Sequence, residues 1–289
     1  MAATEPVSRE GEPRAGLAGE VRLGGQVSVN RLGFGAMRIP GARGEPAGAP
    51  EGHRLLRRAV ELGINFIDTA HAYRESERLI GEALHPYADD LVIATKAGYG
   101  RGRAGQWIPD GRPETIRRHV ERSLELLRLD RIDLLQLHTI DPKVPLEESV
   151  GVMVELQGEG KVRMIGVSNF DVDELERARA VGDIVSVQNR YSLGDRRSED
   201  VLEVCQRDGI AFLPWFPLGA GALARASELQ EVGRAHGATP AQGALAWLLA
   251  RSPMMLPIPG TSSAAHLEEN VAAAGLRLSE EDVRRLSRT

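Results

Sequence analysis

From residue 31 onward the sequence alternates between two rhythms. Apolar runs of five to nine residues are each followed by a longer stretch whose apolar residues recur three and four apart. The first rhythm predicts buried strands and the second amphipathic helices. Strands are predicted over 31–37, 64–68, 90–96, 131–138, 161–169, 184–188, 210–215 and 254–260. "DLVIATK" shows why: its apolar run is uninterrupted, as a parallel strand covered on both faces requires. Helices are predicted between them. "HRLLRRAVELG" (53–63) places Leu55, Leu56, Ala59 and Val60 on one face and stops at Gly63. Pro113 opens a helix with Ile116, Val120, Leu124 and Leu127 on one side. Two helical segments flank Thr239-Pro240, and Ser279 with Asp282 matches a capping box for the last helix. Ahead of this series, 21–29 reads as a hairpin turning at Gly24-Gly25.

Eight strand–helix units follow one another with no linker and no change of composition. They predict one α/β domain over 20–289, a (β/α)8 TIM barrel preceded by the hairpin. A doubly wound sheet is the alternative. It would carry a phosphate-binding glycine fingerprint after its first strand. "GRGRAG" (Gly100, Gly102, Gly105) has that spacing, but it follows the third strand and leads into "QWIPDGRP" rather than a helix N-terminus. A mobile loop is expected there. Residues 1–19 are rich in Glu, Pro, Gly and Ala without periodicity, and predict a disordered lead-in.

Composition then narrows the function. The formal net charge is −5, and no basic run points to nucleic acid. The N-terminus lacks a hydrophobic core segment, and no apolar run approaches the roughly 20 residues that cross a bilayer. The single cysteine, Cys205, cannot form an internal disulfide, which fits a reducing cytoplasm. It falls in a helical pattern and is expected to be a small apolar side chain rather than a nucleophile. A metal site is not indicated, and the oligomeric state is not legible.

In such a barrel the active site lies at the C-terminal ends of the strands. Asp68, Lys96 and His138 close the second, third and fourth strands, and Tyr73 follows Asp68 by five residues. Lys96 is one of only three lysines among 36 basic residues. A free phenol titrates near pH 10. A neighbouring ammonium favours the phenolate and is expected to lower that value. Asp68 would keep Lys96 charged, and His138 would orient a carbonyl by hydrogen bonding. Tyr73 then serves as proton donor to an oxygen gaining negative charge, the requirement of carbonyl reduction.

These residues resemble the aldo-keto reductase family over nearly the whole chain. "IDTAHAYRESERLIG", "LLQLH", "KVRMIGVSNF" and "IPGTSSAAHLEEN" are similar to the family's signatures. The resemblance implies a nicotinamide cofactor bound without a Rossmann domain, and a tetrad of Asp68, Tyr73, Lys96 and His138. It places the carboxamide at Ser168, Asn169 and Gln188, and an aromatic stack on Trp215. Leu218 and Gly219 fall in the loop over the pyrophosphate. Thr261, Ser262 and His266 fall near the 2′-phosphate, and Glu269 and Asn270 around the adenine. Two departures stand out: Arg74 follows the tyrosine where many relatives have Gly, and Gly260 with His266 replace the usual phosphate clamp. NADP(H) is expected, with NAD(H) as the alternative. The chain ends soon after its last helix, which implies an open pocket lined by Trp107, Tyr191, Trp215 and Phe216. A bulky or aromatic small-molecule carbonyl is the expected partner. "VNRLGFGAM" and "FPLG" are most similar to bacterial pyridoxal reductases. Two other readings compete: a Schiff-base aldolase using Lys96, and a cofactor-sensing subunit with little turnover.

Overall fold

The computed structural model describes residues 12–102, 105–219 and 227–288. Strands β1 (Glu20–Leu23) and β2 (Val27–Asn30) form the expected antiparallel hairpin. The chain continues through β3 (Phe34–Gly35), β4 (Phe66–Asp68) and β5 (Val92–Ala97). Next come a second, short hairpin of β6 (Tyr99–Arg101) and β7 (Trp107–Pro109), then β8 (Ile132–Leu137). Strands β9 (Val162–Ser168), β10 (Ile184–Arg190) and β11 (Ala211–Trp215) complete the set. Seven of these pair in parallel in the order β11-β10-β9-β8-β5-β4-β3.

Residues 254–260, expected to be the last strand, close the sheet without forming a regular ladder. Toward β11, Phe212 N donates to Met254 O and Leu256 N to Phe212 O, each at 2.9 Å. Toward β3, Gly33 N donates to Pro257 O at 2.9 Å and Gly35 N to Pro259 O at 3.4 Å. Pro257 and Pro259 have no N–H to return, so only half of each pair forms. The barrel is closed, and its eighth position is held by a proline-spaced segment.

Among the described residues ten α-helices cover the outside: α1 (Ala49–Glu61), α2 (Ser76–Leu84), α3 (Pro113–Leu127), α4 (Leu146–Gly158), α5 (Val172–Arg179), α6 (Glu199–Asp208), α7 (Ser227–Ala235), α8 (Pro240–Arg251), α9 (Ala264–Ala272) and α10 (Glu280–Leu286). The capping box of Ser279 and Asp282 is present, and others start α5 and α8. Among the described residues no helix is long and apolar enough to cross a membrane.

Period-2 alternation sorts each strand. Ile67, Ile93 and Leu135 pack outward against helices. Phe66, Val92, Ala94, Leu134, Met164 and Leu213 fill the barrel interior with Val21, Leu23 and Val29 of the hairpin. The hairpin therefore plugs the N-terminal end, leaving the opposite end for chemistry. The same parity carries Asp68, Lys96, His138 and Ser168 inward at that end.

One boundary shifts. Residues 12–19, read from sequence as disordered lead-in, pack on the barrel. Ala15–Ala18 form a 3-10 turn, Ala15 N donates to Leu62 O at 2.9 Å, and Glu12 pairs with Arg58 at 2.6 Å. Buried Ala15 and Ala18 are too small to signal this in sequence. Residues 1–11 lie outside the described residues.

Candidate active site

Lys96 is fully buried, and its ammonium donates to both carboxylate oxygens of Asp68 at 2.7 Å and to Thr69 O at 2.8 Å. Three N–H groups thus meet three acceptors. Burial works against the charge, yet Asp68 outweighs it, and the amine is held above its ordinary value. A Schiff-base nucleophile must be neutral, so the aldolase reading loses its nucleophile. Asp68 also accepts from Gln188 Nε2 at 2.8 Å and from Gln136 Nε2 at 3.3 Å. Gln136 was missed from sequence. Its signal was there: a polar residue in "DLLQLH" at the same inward parity as His138.

Tyr73 ends a 3-10 turn, His71–Tyr73, and its ring centroid lies 5.1 Å from Lys96 Nζ. Its titration runs opposite to expectation. Burial raises the phenol above its ordinary value, and Lys96 offsets this only in part. The consequence suits a donor, since the hydroxyl keeps its proton until the reacting oxygen demands it.

His138 lies edge-on to Tyr73, with ring centroids 5.8 Å apart. Burial, then the charge of Lys96, hold it well below its ordinary value, so it is neutral. Its Nδ1 is buried without a partner, which leaves Nε2 as the ring nitrogen able to meet a ligand. Asn169 ties this end together: its amide donates to His138 O and Ser168 Oγ, each at 3.1 Å, and accepts from Trp215 Nε1 at 2.9 Å. Asn169 and Phe216 both take the left-handed backbone conformation, at φ 65° and 63°. Strain of this kind gathers at functional sites.

A cavity of about 910 Å3 opens over these groups, at the upper end of ordinary ligand pockets. Asp68, Tyr73, Tyr99, Trp107 and His138 line one end; Ser168, Asn169, Gln188, Trp215, Phe216 and Leu218 line the middle. Gly260 and Thr261 before α9, and His266, Glu269 and Asn270 along it, complete the lining. Such a trough accepts an extended ligand. Trp215 offers a flat wall. Ser168 Oγ accepts from Asn169, so its own O–H remains to donate. These residues fit a nicotinamide dinucleotide.

Three expected residues stand elsewhere. Tyr191 is not in the pocket: it is buried in the core, stacked with Trp247, its hydroxyl on Glu199 at 2.5 Å. Ser262 is exposed and outside the lining; Gly219 is half-buried and also outside it, and its N–H closes a turn on Phe216 O. Tyr99, Met37 and Arg38 line the cavity and were missed. The loop expected around "GRGRAG" is in part the β6–β7 hairpin, which brings Tyr99 and Trp107 to the site. Cys205 is buried and its thiol pushed up to about 12, as an inert position requires. Among the described residues no cluster of three or more His, Cys, Asp or Glu suits a metal.

Arg74 adopts φ 54° and ψ −105°, a conformation costly for any residue with a Cβ. Arg74→Gly removes that strain at the cost of some backbone entropy and one exposed hydrogen bond to Arg43 O. A net gain of about 1 kcal/mol in urea unfolding is expected. A loss of stability would show the conformation to be unstrained.

Behind the turn, His71 and His119 stack with centroids 4.0 Å apart. Burial pushes each down to about 4; nearby arginines add to this, as does His71 in the case of His119. Unfolded, each binds a proton near pH 6.5. Between pH 6.5 and 4 the unfolded state therefore holds more protons, and each histidine costs up to roughly 3 kcal/mol as pH falls through that window. Buried Glu77, raised by burial, acts in the opposite sense, so a variant must isolate the term. His119→Phe keeps the stack and is expected to make stability fall less steeply over this window. An unchanged slope in denaturant melts contradicts the assignment.

The chain belongs to the aldo/keto reductase family, whose model matches residues 31–289, and is an oxidoreductase of that class. An uncharacterized oxidoreductase of Schizosaccharomyces pombe is 47% identical over 272 residues, covering 92% of this chain and 88% of that protein. Pyridoxine 4-dehydrogenase of Escherichia coli is 43% identical over 267 residues, covering 89% and 93%. An aldo-keto reductase of Klebsiella pneumoniae, solved in complex with NADPH, superposes with a TM-score of 0.82 at 31% identity, covering 93% and 94%.

Proposed function

We propose that this chain reduces an aldehyde or ketone to an alcohol with NADPH, and that aromatic aldehydes of the pyridoxal type are its preferred substrates. One observation carries the reading: a phenol, a charged Lys96–Asp68 pair and a neutral imidazole converge on one end of an extended cavity. When bound, the reduced nicotinamide supplies hydride to the carbonyl carbon. Ser168, Asn169 and Gln188 would hold its carboxamide, and Trp215 would back its ring. Thr261, His266, Glu269 and Asn270 would hold the adenosine end. His138 orients the carbonyl oxygen through Nε2, and Tyr73 donates its proton to that oxygen. Lys96 stabilises the resulting phenolate, with Asp68 fixing the ammonium in place. Tyr99, Trp107 and Phe216 supply flat apolar surface, which favours an aromatic ring beside the carbonyl.

The pyridoxal preference is supported by likeness to the Escherichia coli pyridoxine 4-dehydrogenase. The test is NADPH oxidation by the purified protein across pyridoxal, benzaldehydes and short aliphatic aldehydes. Higher kcat/KM for the aromatic members is expected. No turnover with any carbonyl would end the reading and favour a cofactor-sensing role.

A further inference from the structure

We propose a second ligand site, for a small oxyanion such as phosphate, on the far side of Tyr99 from the catalytic cavity. Tyr99 lines both spaces, and the second has a volume of about 630 Å3. Its remaining walls include the stacked rings of His71 and His119 and the side chains of Arg74 and Arg101. Among the described residues no Asp or Glu lines it.

The two guanidiniums define the ligand. Their charges oppose each other, and among the described residues neither has a carboxylate partner. Their hydrogen bonds go to backbone carbonyls instead. Arg101 gives Nε to Ala72 O at 3.1 Å and Nη1 to Gly105 O at 3.0 Å; Arg74 gives Nη1 to Arg43 O at 2.9 Å. Among the described residues, Arg101 Nη2 and Arg74 Nε and Nη2 have no hydrogen-bond partner. An oxyanion such as phosphate takes two such donors at once on two of its oxygens, and its charge removes the repulsion between the cations. The stacked imidazoles are neutral and add ring surface without competing charge.

The site bears on the known chemistry through its frame. Arg74 follows the turn that carries Tyr73, and Arg101 lies in the hairpin that carries Trp107, over whose ring it sits at 4.2 Å. A bound anion ties these two walls of the active site together.

The inference does not rest on the cofactor reading, and its test separates the two. Inorganic phosphate is titrated calorimetrically into the full-length protein at constant ionic strength, with and without saturating NADP. One saturable binding event is expected that persists with NADP present. It should weaken about tenfold or more in Arg74→Gln, which leaves the hairpin's own bonds intact, and likewise in Arg101→Gln. Three results would each overturn the proposal: no saturable binding, loss of binding when NADP is added, or undiminished affinity in Arg74→Gln.

Discussion

Tyr73→Phe should lower kcat for carbonyl reduction by about 10²–10⁴-fold, the range a positioned proton donor contributes, while NADPH affinity changes by less than about twofold. The split follows from geometry. In the proposed reaction the Tyr73 hydroxyl would meet the reacting oxygen, whereas the groups that would hold the nicotinamide sit on other strand ends, at Ser168, Asn169 and Gln188. Phe keeps the ring that lies edge-on to Trp107 and His138, so the walls of the pocket persist. Steady-state kinetics paired with fluorescence titration of NADPH reads both quantities. Full activity in the variant would remove Tyr73 from the mechanism. A collapse of NADPH affinity would mean that the ring shapes the cofactor site instead.

Lys96→Met should be costly twice. Removing the ammonium leaves Asp68 charged and buried with only two glutamine amides as partners. Breaking a buried pair from one side costs about 3–5 kcal/mol, which urea unfolding would show. Activity should fall about as far as in Tyr73→Phe, because no cation remains to stabilise the phenolate. The double variant Asp68→Asn/Lys96→Met separates the effects. It removes both charges, so stability should return to within about 1–2 kcal/mol of the parent while activity stays low. Recovery of activity together with stability would show the pair to be scaffolding alone.

Much of this site is written in the apolar runs themselves. Asp68, Lys96 and His138 are legible because each ends a run too apolar to tolerate a polar residue without a reason, and barrel geometry fixes which end matters. Parity explains a failure as well. Tyr191 lies three residues beyond inward-facing Gln188, so it points into the helix layer, where Phe212 and Trp247 receive it. Its aromatic character suggested a pocket wall, and an odd step along the strand placed it elsewhere. Tyr99 escaped notice because the β6–β7 hairpin pairs only three residues on each side, too few for alternation to register. The sign of the Tyr73 shift was also out of reach. It depends on whether burial or Lys96 dominates, and burial is a property of the assembled barrel. The closing segment 254–260 takes the eighth position expected of the last strand without forming a regular one, because its prolines accept hydrogen bonds and return none.

The decisive measurement follows the hydride itself. The purified protein is given NADPH carrying deuterium at the transferring position, together with pyridoxal, and the alcohol product is examined by NMR. A single deuterium on the new carbinol carbon is predicted, with none on that carbon when the label is in the solvent instead. Product whose carbinol hydrogen comes from water, or NADPH consumed without labelled alcohol, would contradict direct reduction at this site.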